Sequence, residues 1–136
     1  MYNCSLIKFK EIYDKYGHLT PIESKVDVPF EIKRVYYITG VEKNITRGHH
    51  SHRKLHQILI CLNGSVKIRV KNPNKEEIIE LNDPSVGLYI GPFVWREMFD
   101  FTEGSVLLIL ASEYYDEDDY IRNYDFYLKE ATKIYK

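Results

Sequence analysis

Residues 47–57 read RGHHSHRKLHQ and hold four of the chain's five histidines. Imidazole titrates near neutral pH and offers one lone pair, so such a run suits metal ligation, proton transfer, or a hydrogen-bonded polar strand end. His50 and His52 are two apart, and on a strand residues i and i+2 share a face. His49 then points the other way, and His56 reads as scaffold. The run reduces to one useful pair. Gln57 follows that pair, and Gly64 follows Gln57.

The order H-x-H, then Gln57, then Gly64 resembles the first motif of the cupin superfamily, where a glutamate usually stands at the Gln57 position. GPFVWRE (91–97) resembles a distorted second motif, with Arg96 where a last histidine ligand would be. The resemblance implies a small antiparallel β-barrel that often holds a metal in a His-His-Glu-His cage. Arginine has no lone pair for a metal and would repel one, and glutamine removes the charge-compensating carboxylate. No metal or other cofactor is expected, which leaves the histidine pair for proton transfer.

The elements that must position this pair are mostly short strands. IKRVYYIT (32–39) is rich in β-branched and aromatic residues. HQILICLNGSVKIRV (56–70) reads as two apolar strands in a hairpin joined at Asn63-Gly64, a pair suited to tight turns. NPNK (72–75) is a further turn, and EIIEL, VGLYI, VWREMFDF and SVLLILA follow at strand-like lengths. Both faces of 57–62 are apolar, so both are expected to be covered, one inside a barrel and the other against a second sheet or partner subunit. Beyond the acidic EYYDEDD (113–119), Tyr120, Tyr124, Tyr127, Leu128, Ala131, Ile134 and Tyr135 recur at helical spacing, predicting a helix from about 118 to 135, capped by Asp118 or Asp119. The expected fold is a single all-β domain over 1–136, a cupin-type antiparallel β-barrel (jelly roll) with a C-terminal α-helix.

With 136 residues the chain can bury a core, and its net charge of −1 excludes a strongly basic field for nucleic acid. Cys61 lies in an apolar run and reads as a buried thiol. The N-terminus has no signal-peptide pattern and no apolar run approaches the ~20 residues of a membrane span, so a cytoplasmic protein is expected.

Three further stretches sharpen this. RGxHxH(K/R)xLxQxLICLNGS, then SVGLYIGPxVW, then LASxYYDExDYIRxY resemble the nucleotide-sugar 3,4-ketoisomerases, cupins acting on dTDP-4-keto-6-deoxy-D-glucose, over roughly Leu6 to Tyr127. The resemblance implies a homodimer and a metal-free route through an enediolate, with His50 as the base at C3 and His52 as its shuttling or orienting partner. Tyr37 is a candidate hydroxyl donor, since only one of Tyr36 and Tyr37 can face inward, and Gln57 should line the barrel. The diphosphate needs cations, and the planar donor forks of Arg34 and Arg47 suit it. Trp95, the only tryptophan, is a candidate platform for sugar or base, with Lys54 and Tyr89 as weaker candidates. Tyr16 and Arg96 stand where the branch giving the galacto product has arginine and histidine, which points to dTDP-3-keto-6-deoxy-D-glucose as product. The competing readings are an epimerase-like cupin, a non-catalytic sugar-nucleotide binder and a metal-dependent oxygenase.

Overall fold

The computed structural model describes residue 1 and residues 3–135. Its strands are β1 (Cys4–Lys8), β2 (Ile12–Asp14), β3 (Gly17–Leu19), β4 (Arg34–Ile38), β5 (Arg47–His52), β6 (Gln57–Asn63), β7 (Val66–Asn72), β8 (Lys75–Leu81), β9 (Val86–Ile90), β10 (Trp95–Phe99), β11 (Val106–Ala111) and β12 (Tyr120–Ile121). One five-stranded sheet runs β1-β9-β6-β11-β4 and the other β12-β5-β10-β7-β8, all pairs antiparallel, while β2 and β3 form a separate hairpin. This is the expected all-β jelly roll with a C-terminal helix.

The core lies between the two sheets. Leu59 and Cys61 of β6, Leu88 and Ile90 of β9, and Leu107 and Ile109 of β11 meet Val66, Ile68 and Val70 of β7 and Met98 of β10. Strand alternation sends Ile58, Ile60 and Leu110 to the opposite face of their sheet. There Phe9, Val28 and Phe30 cover them. Within the chain, the second apolar face of β6 is therefore covered by the 7–32 region, not by the second sheet.

Two sequence expectations change here. The Asn63-Gly64 pair does not close a hairpin: β6 bonds to β9 and β11, whereas β7 bonds to β8 and β10. The turn carries the chain from one sheet to the other. It is anchored outward, with Asn63 Nδ2 donating to the Gly104 carbonyl at 2.8 Å and the Ser65 N–H donating to Thr102 Oγ1 at 2.9 Å. Gly64 has φ +72 and a Cβ there would stand 2.3 Å from Thr102 Oγ1, so only glycine fits. The true hairpin is β7–β8, closed by NPNK, where Asn72 Oδ1 accepts the Asn74 and Lys75 N–H groups.

The helix is also shorter than its periodicity suggests. Residues 117–119 form a single 3₁₀ turn, Tyr120–Ile121 pair with Ser51 and His52 as β12, and the helix α1 spans only Tyr124–Thr132. The free edge of β5 offers backbone partners that an aromatic and a β-branched residue take readily. Asn123, not Asp118 or Asp119, caps the helix, its side chain accepting the Phe126 N–H at 2.9 Å.

Candidate active site

His50 and His52 sit on the inner face of β5, separated by the outward Ser51. A bulge sets what they face. Gly48 (φ +95) and His49 (φ +52) both lie in the left-handed region, and the pairing of β5 with β10 skips His49. The extra residue restores Arg47 to the face of His50, which simple alternation would deny it. His49 is pushed outward, with Nδ1 3.9 Å from Glu97. Gly48 is required because a Cβ would meet the Arg96 carbonyl at 3.1 Å, on top of the strained φ.

His50 borders a cleft of about 380 Å³ lined also by Arg34, Tyr36, Arg47, Tyr120 and Arg122. Its Nδ1 lies 3.0 Å from the Gly48 carbonyl. A carbonyl only accepts, so Nδ1 carries the proton and Nε2 carries the lone pair. Burial, and then the Arg96 guanidinium, pull the imidazole down to about 3. His50 is therefore a neutral base over the whole physiological range.

His52 is fully buried and its Nδ1 lies 3.1 Å from Asp119 Oδ2. The carboxylate accepts that N–H and also the backbone N–H groups of Lys54 (2.8 Å) and Leu55 (3.3 Å). The His52 Nε2 is thereby left as an acceptor with no hydrogen-bond partner among the described residues. Burial and Arg96 push its value down as well. The two rings meet edge to face at 4.8 Å, and Tyr120 packs on both, at 5.0 and 4.4 Å. A second cleft of about 540 Å³ opens beside His52, with Arg34, Lys54 and Tyr120 in its wall.

Arg96 lies directly across the strand pair from His50. It is 1% exposed and forms no ion pair among the described residues. Burial lowers the guanidinium to about 10, so it is charged at neutral pH. Its Nη1 donates to Gln57 Oε1 across the two sheets, and its Nη2 donates to the Val94 carbonyl at 3.1 Å. Gln57 Nε2 donates to the Tyr36 hydroxyl at 2.8 Å. Arg34 stacks over the rings of Tyr36 and Tyr115, with no hydrogen-bond partner for its Nε among the described residues.

The structure thus brings His50, His52, Gln57, Arg96, Arg34 and Arg47 together. It does not bring Tyr37, Trp95, Tyr89 or Tyr16. Tyr37 is 67% exposed because alternation along β4 turns Tyr36, not Tyr37, toward Gln57. Trp95 precedes the inward Arg96 and so faces out of the barrel, buried under α1 against Tyr124 and Tyr127, with Nε1 donating to Glu97. Tyr89 lies among the side chains packed on the outer face of its sheet, 2.7 Å from His56 Nδ1. Tyr16 is 84% exposed at the tip of the β2–β3 hairpin. Sequence reasoning weighed Tyr36 only as the alternative to Tyr37, and it passed over Asp119, Tyr120 and Arg122 as site residues because all three fell inside the expected helix.

The profile of the family described as FdtA: WxcM-like, C-terminal, matches residues 2–132. The chain belongs to the FdtA family. The TDP-4-oxo-6-deoxy-alpha-D-glucose-3,4-oxoisomerase of Aneurinibacillus thermoaerophilus is 50% identical to it over 129 residues, 95% of this chain and 93% of the relative. Among solved structures, the sugar 3,4-ketoisomerase QdtA from Thermoanaerobacterium thermosaccharolyticum, in complex with TDP, is 78% identical with a TM-score of 0.98, covering 100% of this chain and 99% of its own. The TDP-quinovose 3,4-ketoisomerase WlaRB from Campylobacter jejuni is 46% identical with a TM-score of 0.91, covering 95% of this chain and 99% of its own. This FdtA-family chain is an enzyme, an isomerase that interconverts keto and hydroxyl groups. None of its helices, among the described residues, is long and apolar enough to cross a membrane.

Proposed function

We propose that this FdtA-family isomerase converts dTDP-4-keto-6-deoxy-D-glucose to dTDP-3-keto-6-deoxy-D-glucose, without metal, by histidine acid–base catalysis. The observation that carries the reading is the neutral His50, with Nδ1–H tied to Gly48 and Nε2 left with the lone pair. The C4 carbonyl acidifies the C3 proton, and His50 Nε2 removes it to give an enediolate. The proton is returned to C4, and the C3 hydroxyl proton passes to the C4 oxygen, leaving a ketone at C3. Nothing else is consumed, so the step balances without a redox partner. His52, fixed by Asp119, is the neighbouring site through which a proton passes between the oxygens. A positioned acid–base group contributes typically ~10²–10⁴-fold.

Arg34 and Arg47 border the cleft with the donor forks a diphosphate needs. Arg96 cannot readily give C4 a proton, which supports the gluco-configured product. The expected homodimer is supported by exposed apolar side chains on the hairpin and on edge strand β4: Ile12, Tyr13, Tyr16, Leu19, Val35 and Tyr37. Tyr16 does not line its own cleft, and its contact with the sugar is proposed to come from the hairpin of a second copy. Sedimentation at micromolar concentration checks the dimer.

The test is His50→Asn. Ketoisomerase turnover falls at least ~10²-fold while calorimetry finds dTDP affinity retained. Undiminished turnover in the variant contradicts the assignment.

A further inference from the structure

Arg96 raises a question that proton transfer at His50 leaves unanswered. A buried guanidinium with no carboxylate is costly, and such charges are normally paired. Here its best partner is a neutral amide, Gln57, itself 2% exposed. The chemistry of the donors fixes the direction of everything beyond it. Arginine has five N–H donors and no acceptor, so Gln57 must present Oε1 to it. The Gln57 NH₂ group is then committed to the far side, where it donates to Tyr36 Oη at 2.8 Å. Tyr36 Oη therefore accepts on that side. The phenolic O–H lies in the ring plane, and among the described residues Tyr36 Oη makes no second hydrogen bond. Tyr36 borders the same cleft as His50.

We propose that Arg96 and Gln57 are a positioning pair that makes Tyr36 an obligate hydrogen-bond donor to the sugar oxygen that gains negative charge as His50 removes the C3 proton. The proposal rests on the ketoisomerase reading above and adds the group that stabilises its enediolate. A reversed Gln57 amide would leave the phenol donating into the protein and its lone pairs facing the oxyanion. The buried charge of Arg96 prevents that reversal. Burial pushes the Tyr36 phenol above its ordinary value, so it keeps the proton it donates. Gln57 is also the position at which a glutamate, the residue cupin cages use, would invert the whole chain of bonds. One carboxylate oxygen would pair with Arg96 and the other would accept the Tyr36 O–H.

Gln57→Glu is therefore the decisive substitution, since it is nearly isosteric and satisfies Arg96. We expect kcat for 3-keto sugar formation to fall on the order of 10²-fold, the scale of a lost oxyanion donor. KM and dTDP affinity stay within about twofold, and the melting temperature does not drop. Tyr36→Phe falls by a similar factor, and the double variant is no slower than Tyr36→Phe alone, because both changes remove one donor. Wild-type kcat in Gln57→Glu, or multiplicative losses in the double variant, would overturn the proposal. A readout free of turnover keeps it separate from the function it rests on. In protein carrying ¹³Cζ-labelled tyrosine, the Tyr36 resonance titrates at higher pH in Gln57→Glu than in wild type, because the phenol now donates to a carboxylate. An unchanged or lower titration contradicts the bond order. Wild-type enzyme that made no 3-keto sugar would overturn the function, and the titration would then decide the bond order alone.

Discussion

Asp119→Asn asks whether the tautomer of His52 matters. In the native protein the carboxylate accepts three hydrogen bonds, from His52 Nδ1 and from the Lys54 and Leu55 backbones. The amide of asparagine matches the carboxylate in shape; its oxygen in the Oδ1 place keeps the Lys54 N–H, while the longer bond from the Leu55 N–H, which goes to Oδ2, is lost. Its NH₂ group must then face His52 Nδ1, and a donor there requires Nδ1 to be the acceptor. The His52 proton moves to Nε2, which gives up its lone pair. The stability cost is a charge-assisted bond exchanged for a neutral one plus the lost Leu55 bond, about 2–4 kcal/mol, or several degrees of melting temperature. The catalytic cost is that of a lost proton-shuttling group, ~10²–10⁴-fold in kcat. Turnover followed by chromatography, with ¹⁵N-histidine NMR to read the tautomer, separates the two effects. If the tautomer inverts and kcat stays within about threefold of wild type, the shuttle role of His52 is refuted.

Four further outcomes follow from the same geometry. His50 sits at about 3 against 6.5 in an unfolded chain, so kcat/KM is flat from pH 8 down to 5, and an acid limb with its midpoint near 6.5 contradicts the neutral base. A depressed histidine also means that the unfolded state binds more protons between 6.5 and 3, so stability falls as pH drops through that window, by about 1 kcal/mol per pH unit for this group; chemical denaturation of wild type and His50→Asn at pH 7 and 5 shows a shallower fall in the variant. Trp95→Ala removes a ring buried against Tyr124 and Tyr127 and destabilises by about 3–5 kcal/mol, with dTDP affinity unchanged in the folded fraction; weakened affinity in that fraction restores Trp95 to the site. Gly48→Ala strains a φ of +95 and crowds the Arg96 carbonyl, so kcat falls more than stability does; equal kcat means the bulge does not set the cleft.

The histidine pair was legible because its two-residue spacing needs only strand parity. Parity is relative, however, and that is why Tyr36 and Tyr37 could not be ordered: either may face the cleft until a partner, here Gln57, is known. Arg47 was identified by its chemistry, but it reaches His50's face through a bulge that leaves no periodic trace. The Asn63-Gly64 pair signals a tight turn and not which sheets it joins, and only the bonds to Thr102 and Gly104 decide that. Asp119, Tyr120 and Arg122 were hidden by a local helical pattern that lost to the unpaired edge of β5. Long-range pairing overrode local propensity at the stretch that completes the site.

The central claim is tested most directly by ¹³C and ¹H NMR of the product that the wild-type enzyme forms in H₂O from dTDP-4-keto-6-deoxy-D-glucose. The account predicts a ketone at C3 and an axial C4 proton with a large diaxial coupling to H5. A small coupling would contradict the gluco configuration. A ketone still at C4, with C5 inverted, would contradict ketoisomerisation itself.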